Sequence, residues 1–112
     1  MGAFTDVTLV VSEPATAGGD GMHWAMGTAV GPEEYDTGGS AIDLSDVFKT
    51  KVQFIVANVD NADYRCLFVP GSSYDSATCE LFVDDNAGTQ ITNTTDLRTP
   101  LAAVEWQAWG ID

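Results

Sequence analysis

Few residues in this chain have side chains suited to covalent chemistry: one histidine, His23, two cysteines, Cys66 and Cys79, and a surplus of carboxylates. A histidine-based zinc site needs four ligands at short characteristic spacings, and a nucleophile needs an adjacent base. His23 precedes Cys66 by 43 residues and Cys66 precedes Cys79 by 13, which matches no such pattern. Glu80 and Glu105 each sit between apolar strand residues, at the outward parity of a half-buried strand. They read as solvated face rather than as the paired carboxylates of a glycosidase. Asp60, Asn61 and Asp63, and again Asp84, Asp85 and Asn86, form oxygen-rich clusters of the sort that calcium prefers. Without DxDxDG spacing, the same residues are ordinary turn formers. The expectation is therefore no catalytic residue, no metal and no cofactor.

The aromatic residues are the better candidates for recognition. Trp24, Trp106 and Trp109, with Tyr35, Tyr64 and Tyr74, could form a sugar platform, but in a small domain tryptophan more often fills the core or anchors an interface. Trp106 shares parity with Val104 and Ala108 and is expected inside. Trp109 has the opposite parity and is the contact candidate.

The elements that position these residues read as strands. Residues 4–12 alternate, with Val7, Leu9 and Val11 against Asp6 and Thr8, and Pro14 should stop that strand. Three glycines between residues 13 and 21 make a loop. In residues 22–30, Met22, Trp24 and Met26 oppose His23, Ala25 and Gly27, where Gly27 marks a bulge or a close approach of backbone. Gly38-Gly39 supplies a sharp turn after Tyr35. Ile42 and Leu44 form a short segment, and Ser45 caps a single helical turn bearing Val47 and Phe48. This stretch is expected to carry the chain from one layer to the other. Residues 51–59 are apolar on both parities, as for a strand covered on both faces. Strands at 64–69, 78–83, 89–92 and 101–109 follow, separated by turns at 60–63 and 84–88. The fold class is all-β: one antiparallel β-sandwich or jelly roll of seven to eight short strands. Residues 1–112 form one domain, with residues 1–21 as an N-terminal contact arm.

With 17 acidic residues and four basic ones, the net charge is −13. Such a surface repels phosphate, so nucleic acid is not an expected partner. No apolar run is long enough for a membrane span, and the N-terminus lacks the basic and apolar regions of a secretory signal. Without an export signal, Cys66 and Cys79 are expected as free thiols, although pairing of neighbouring strands would place both on one sheet face.

Tyr35-Asp36-Thr37-Gly38-Gly39 followed by Ile42-Asp43-Leu44-Ser45 resembles a turn of small virion proteins of tailed phages. Phe68-Val69-Pro70-Gly71, Leu81-Phe82-Val83 and the spaced Val104, Trp106, Ala108 and Gly110 are similar to later strands of the same group, so the likeness spans residues 35–110. These are capsid decoration (cement) and minor head proteins. The resemblance implies a structural, non-enzymatic protein made in the host cytoplasm, bound outside a viral capsid and cementing neighbouring coat subunits. Its partner would be the major capsid protein, met as a homo-trimer or homo-dimer. The expected contact residues are Phe4, Thr5 and Asp6, with the loop at Gly18–Gly21, then His23, Trp24 and Trp109. The alternative from another class is a glycan-binding or adhesin-like sandwich on a tail or cell surface, using Trp109 with Tyr74.

Overall fold

The computed structural model describes residues 2–14, 22–69 and 77–111. Seven strands run in the order β1 (Thr5–Pro14), β2 (Met22–Val30), β3 (Ser40–Asp43), β4 (Lys51–Val59), β5 (Arg65–Phe68), β6 (Thr78–Asp84) and β7 (Val104–Ile111). They form a four-stranded sheet, β1-β2-β7-β4, and a three-stranded sheet, β3-β6-β5, with every pairing antiparallel. Among the described residues there is no α-helix. The fold is all-β, a small sandwich, as the spacing of strands and turns predicts. Tyr74 and the Gly18–Gly21 loop lie outside the described residues.

The alternation in β2 and β7 decides which side of the larger sheet meets the core. His23, Ala25, Gly27 and Ala29 stand opposite Gly110, Ala108, Trp106 and Val104, and all eight are buried. Small residues on β2 make room for one large one on β7. A Cβ at Gly27 would lie 2.5 Å from the Trp106 ring, which is why the strand carries glycine there. The Trp106 indole Nε1 donates to the Thr28 carbonyl at 3.0 Å, so the buried ring leaves no polar atom unpaired. The core continues through Phe48, Ile55, Ile42, Leu81 and Val83, all essentially inaccessible.

The Tyr35–Phe48 stretch does carry the chain between layers, from β2 into β3 of the smaller sheet and back to β4. Tyr35 is fully buried and acts as its clasp. Its hydroxyl donates to Gln90 Oε1 (3.1 Å) and accepts from the Val83 N–H (3.0 Å). Its backbone also bonds to Thr94 and Thr95. Gly38 and Gly39 have φ of 92° and 138°, which a Cβ would oppose. Substituting Tyr35 by Phe orphans the buried Val83 N–H, so a loss of about 1–3 kcal/mol in unfolding free energy is expected by urea titration.

Several local expectations need correction. The carboxylate that accepts from the first turn after β3 is Asp43, bonded to the Ser45 N–H at 2.9 Å, rather than Ser45 as cap. The Leu44 carbonyl then accepts from Val47 and Phe48, completing the single turn. The connection at residues 60–63 passes from one sheet to the other instead of forming a hairpin within one. Residues 89–92 contribute only one bridge, between Asp84 and Gln90. β4 is an edge strand, and one of its two apolar parities faces outward.

Cys66 and Cys79 share the inner side of the smaller sheet but do not meet. Cys66 opposes Val83, four residues along β6 from Cys79, a separation of roughly 13 Å. Both are buried free thiols, and burial pushes each up to about 12. Neither should react with Ellman's reagent at pH 8 in the native protein, whereas two thiols per chain should appear on unfolding in urea.

Candidate binding face

The outer side of the four-stranded sheet carries the residues of the other parity. Across it runs a row in which Trp24 of β2 opposes Trp109 of β7, and Trp109 opposes Phe54 of β4. The Phe54 and Trp109 rings lie 5.9 Å apart, and Phe54 meets Phe68 of β5 edge-on at 6.1 Å. The aromatic row therefore continues past the edge of the sheet. The next row is Met26, Gln107 and Val56, and the one after it Thr28, Glu105 and Asn58.

Two backbone irregularities shape this face. A register shift between Val52 and Phe54 turns Phe54 and Val56 outward while Val52, Ile55 and Ala57 stay buried. Another shift between Leu9 and Val11 in β1 leaves Val10 as the extra residue, 67% exposed. Phe54 and Val56 are 48% and 41% exposed, so a large share of this apolar surface faces water. Between Val10 and Val56 the face is hollowed into a trough of about 380 Å³, lined between them by residues of β2 and β7 that include Gly27, Thr28, Trp106 and Gln107.

The residues expected at a contact surface divide cleanly. Trp24 and Trp109 are half-buried neighbours on this face, as their parity requires. Thr5 and Asp6 are exposed at the start of β1, where Asp6 has a φ of 50°. Phe4 does not reach the surface: it is 4% exposed, and its N–H donates to the Ala41 carbonyl at 2.8 Å, tying the two sheets together. His23 is also internal, 7% exposed, with its ring centroid 4.5 Å from that of Phe48. It shares the inner parity of Ala25, and Gly110 opposite leaves space for that stack. Residues 5–14 are paired with β2 along their length and so belong to the sheet itself. Sequence reasoning missed Phe54, Val56 and Met26. The double apolar parity of residues 51–59 was the signal for Phe54 and Val56, and the parity that Met26 shares with Trp24 was the signal for Met26.

Ionisable groups elsewhere serve the fold. Among the described residues no three of His, Cys, Asp and Glu gather as a metal site. Asp84, only 2% exposed, takes both Nε and Nη2 of Arg65, at 3.2 and 2.5 Å. The Arg65 hydrogen bonds hold its carboxyl below the usual carboxylate range. The sign follows: that contribution to stability is present above the ordinary carboxylate pKa and is lost as pH falls through the lowered one. Asp84 also accepts from the Asn86 N–H, and Asp85 from the N–H groups of Ala87 and Thr89. These carboxylates organise a turn.

No family model matches this chain, and neither a curated protein nor a solved structure is similar enough to match it.

Proposed function

We propose that this protein is a structural component of a virion, seated on the outside of a viral capsid, where it bridges neighbouring coat subunits through the outer face of its four-stranded sheet. The observation that carries this reading is the row Trp24, Trp109 and Phe54, with Met26 and Val56 beside it and Phe68 of the other sheet edge-on to Phe54, on a sheet face that no other described strand covers. Rigid aromatic anchors at the centre of an apolar patch are the usual hot spots of protein interfaces. The likeness of the Tyr35–Gly39 turn and later strands to decoration proteins supplies the partner class. Strong negative charge keeps such a protein off packaged nucleic acid. Assembly as dimers or trimers at local symmetry axes would add avidity to weak individual contacts.

The test is to mix purified protein with undecorated capsids and measure uptake by sedimentation. Saturable, stoichiometric uptake supports the proposal, and no uptake at any salt concentration rejects it. A second reading draws on Thr28, Asn58 and Gln107, whose hydroxyl and amide groups lie beside the aromatic row as they would in a glycan-binding site. Specific glycan-array binding that is lost on replacing Trp109 would favour it.

A further inference from the structure

The trough on the binding face has an apolar end and an acidic end. Val10, Met26 and Val56 form the first, and Asn58 and Glu105 close the other. A second hollow of about 290 Å³ shares Asn58 and Glu105 and adds Asp60. Among the described residues, neither hollow is lined by Lys, Arg or His.

The chain's own cations are placed elsewhere. The cross-strand neighbours of Glu105 are Thr28 and Asn58, both neutral. Arg65 is engaged by Asp84, and Arg98 by Asp96 and Glu33. Lys51 opposes Ile111, six residues along β7 from Glu105 and thus roughly 20 Å away. Lys49 precedes it, before β4 begins. His23 is buried against Phe48.

An occupant that covered this face with purely apolar groups would strip water from Glu105 and leave the carboxylate uncompensated, which is costly. A second copy of this chain would bring another Glu105, another Asp60 and a further net charge of −13. Resting on the docking reading above, we propose that the partner protein presents a lysine or arginine to this trough. Its methylene stem lies along Met26 and Val56, and its charged head meets Glu105 and Asp60. Long cationic side chains suit such a surface because stem and head demand different surroundings.

The probe is the peptide acetyl-Leu-Arg-Leu-Arg-Leu-amide, titrated into the intact protein and followed by amide and indole NMR shifts. Its counterpart carries citrulline, which keeps the shape and removes the charge. The arginine peptide should shift the amides of Asn58, Glu105 and Gln107 and the Trp109 indole, and bind about 10-fold more tightly than the citrulline one. Glu105→Gln should erase most of that difference, while Asp46→Asn, at an exposed turn on another part of the chain, should leave it intact. Equal binding of the two peptides, shifts spread over the whole acidic surface, or no binding at all overturns the inference. Capsid uptake by a variant lacking the aromatic anchors judges the docking reading separately, because it leaves Glu105 and Asp60 in place.

Discussion

Replacing Phe54 and Trp109 together by threonine should, on the proposed docking reading, abolish uptake by undecorated capsids while leaving the fold intact. Interface anchors of this kind contribute about 2 kcal/mol or more each, so a combined loss of at least about 3 kcal/mol, over 100-fold in Kd, is expected. The folded state should tolerate the change because Phe54 is 48% exposed and both positions face away from the core. Threonine keeps the β-branched shape that a strand favours. Circular dichroism melting within a few degrees of the parent, together with lost sedimentation, is the predicted result. An unchanged capsid affinity would remove the face from consideration.

The largest effect on stability should come from the other side of the same strand. Trp106 is 1% exposed and spans the space above Gly27, so Trp106→Ala removes an entire indole from the centre of the sandwich. Large-to-small changes of this kind cost about 3–5 kcal/mol. A domain of this size holds only about 5–15 kcal/mol in total, with each kcal/mol worth about 4–8 °C in melting temperature. Should that variant fail to fold, Trp106→Phe isolates the indole hydrogen bond to Thr28 and should cost less. A melting temperature unmoved by either change would contradict the assignment of Trp106 as the core's central residue.

Much of this was legible in the residue order, for identifiable reasons. Strict alternation in β2 and β7 separates Trp106 from Trp109 in the residue order alone, because successive strand side chains must point to opposite faces. Gly27 was readable as a close approach, and the glycines after Tyr35 as a turn. Register and bulges were not readable, since nothing local records which residue of one strand opposes which of another. The two cysteines accordingly share the expected sheet face, but their four-residue offset along β6 was not readable. A run apolar on both parities has two physical solutions: burial on both sides, or burial on one and exposure on the other. In residues 51–59 the chain uses the second, and the extra residue near Gln53 decides which side chains turn outward. The interiors of Phe4 and His23 were hidden for the same reason, because both depend on contacts between sheets.

The central claim is that the outer face of the four-stranded sheet is the working surface of this protein. Hydroxyl-radical footprinting, read by mass spectrometry on free and capsid-bound protein, addresses it directly. Phe54, Met26 and Trp109 should be labelled in the free protein and protected on the capsid, while Trp106 stays unlabelled in both. Unaltered labelling of those three residues in capsid-bound protein, with protection appearing on the three-stranded sheet, would contradict it.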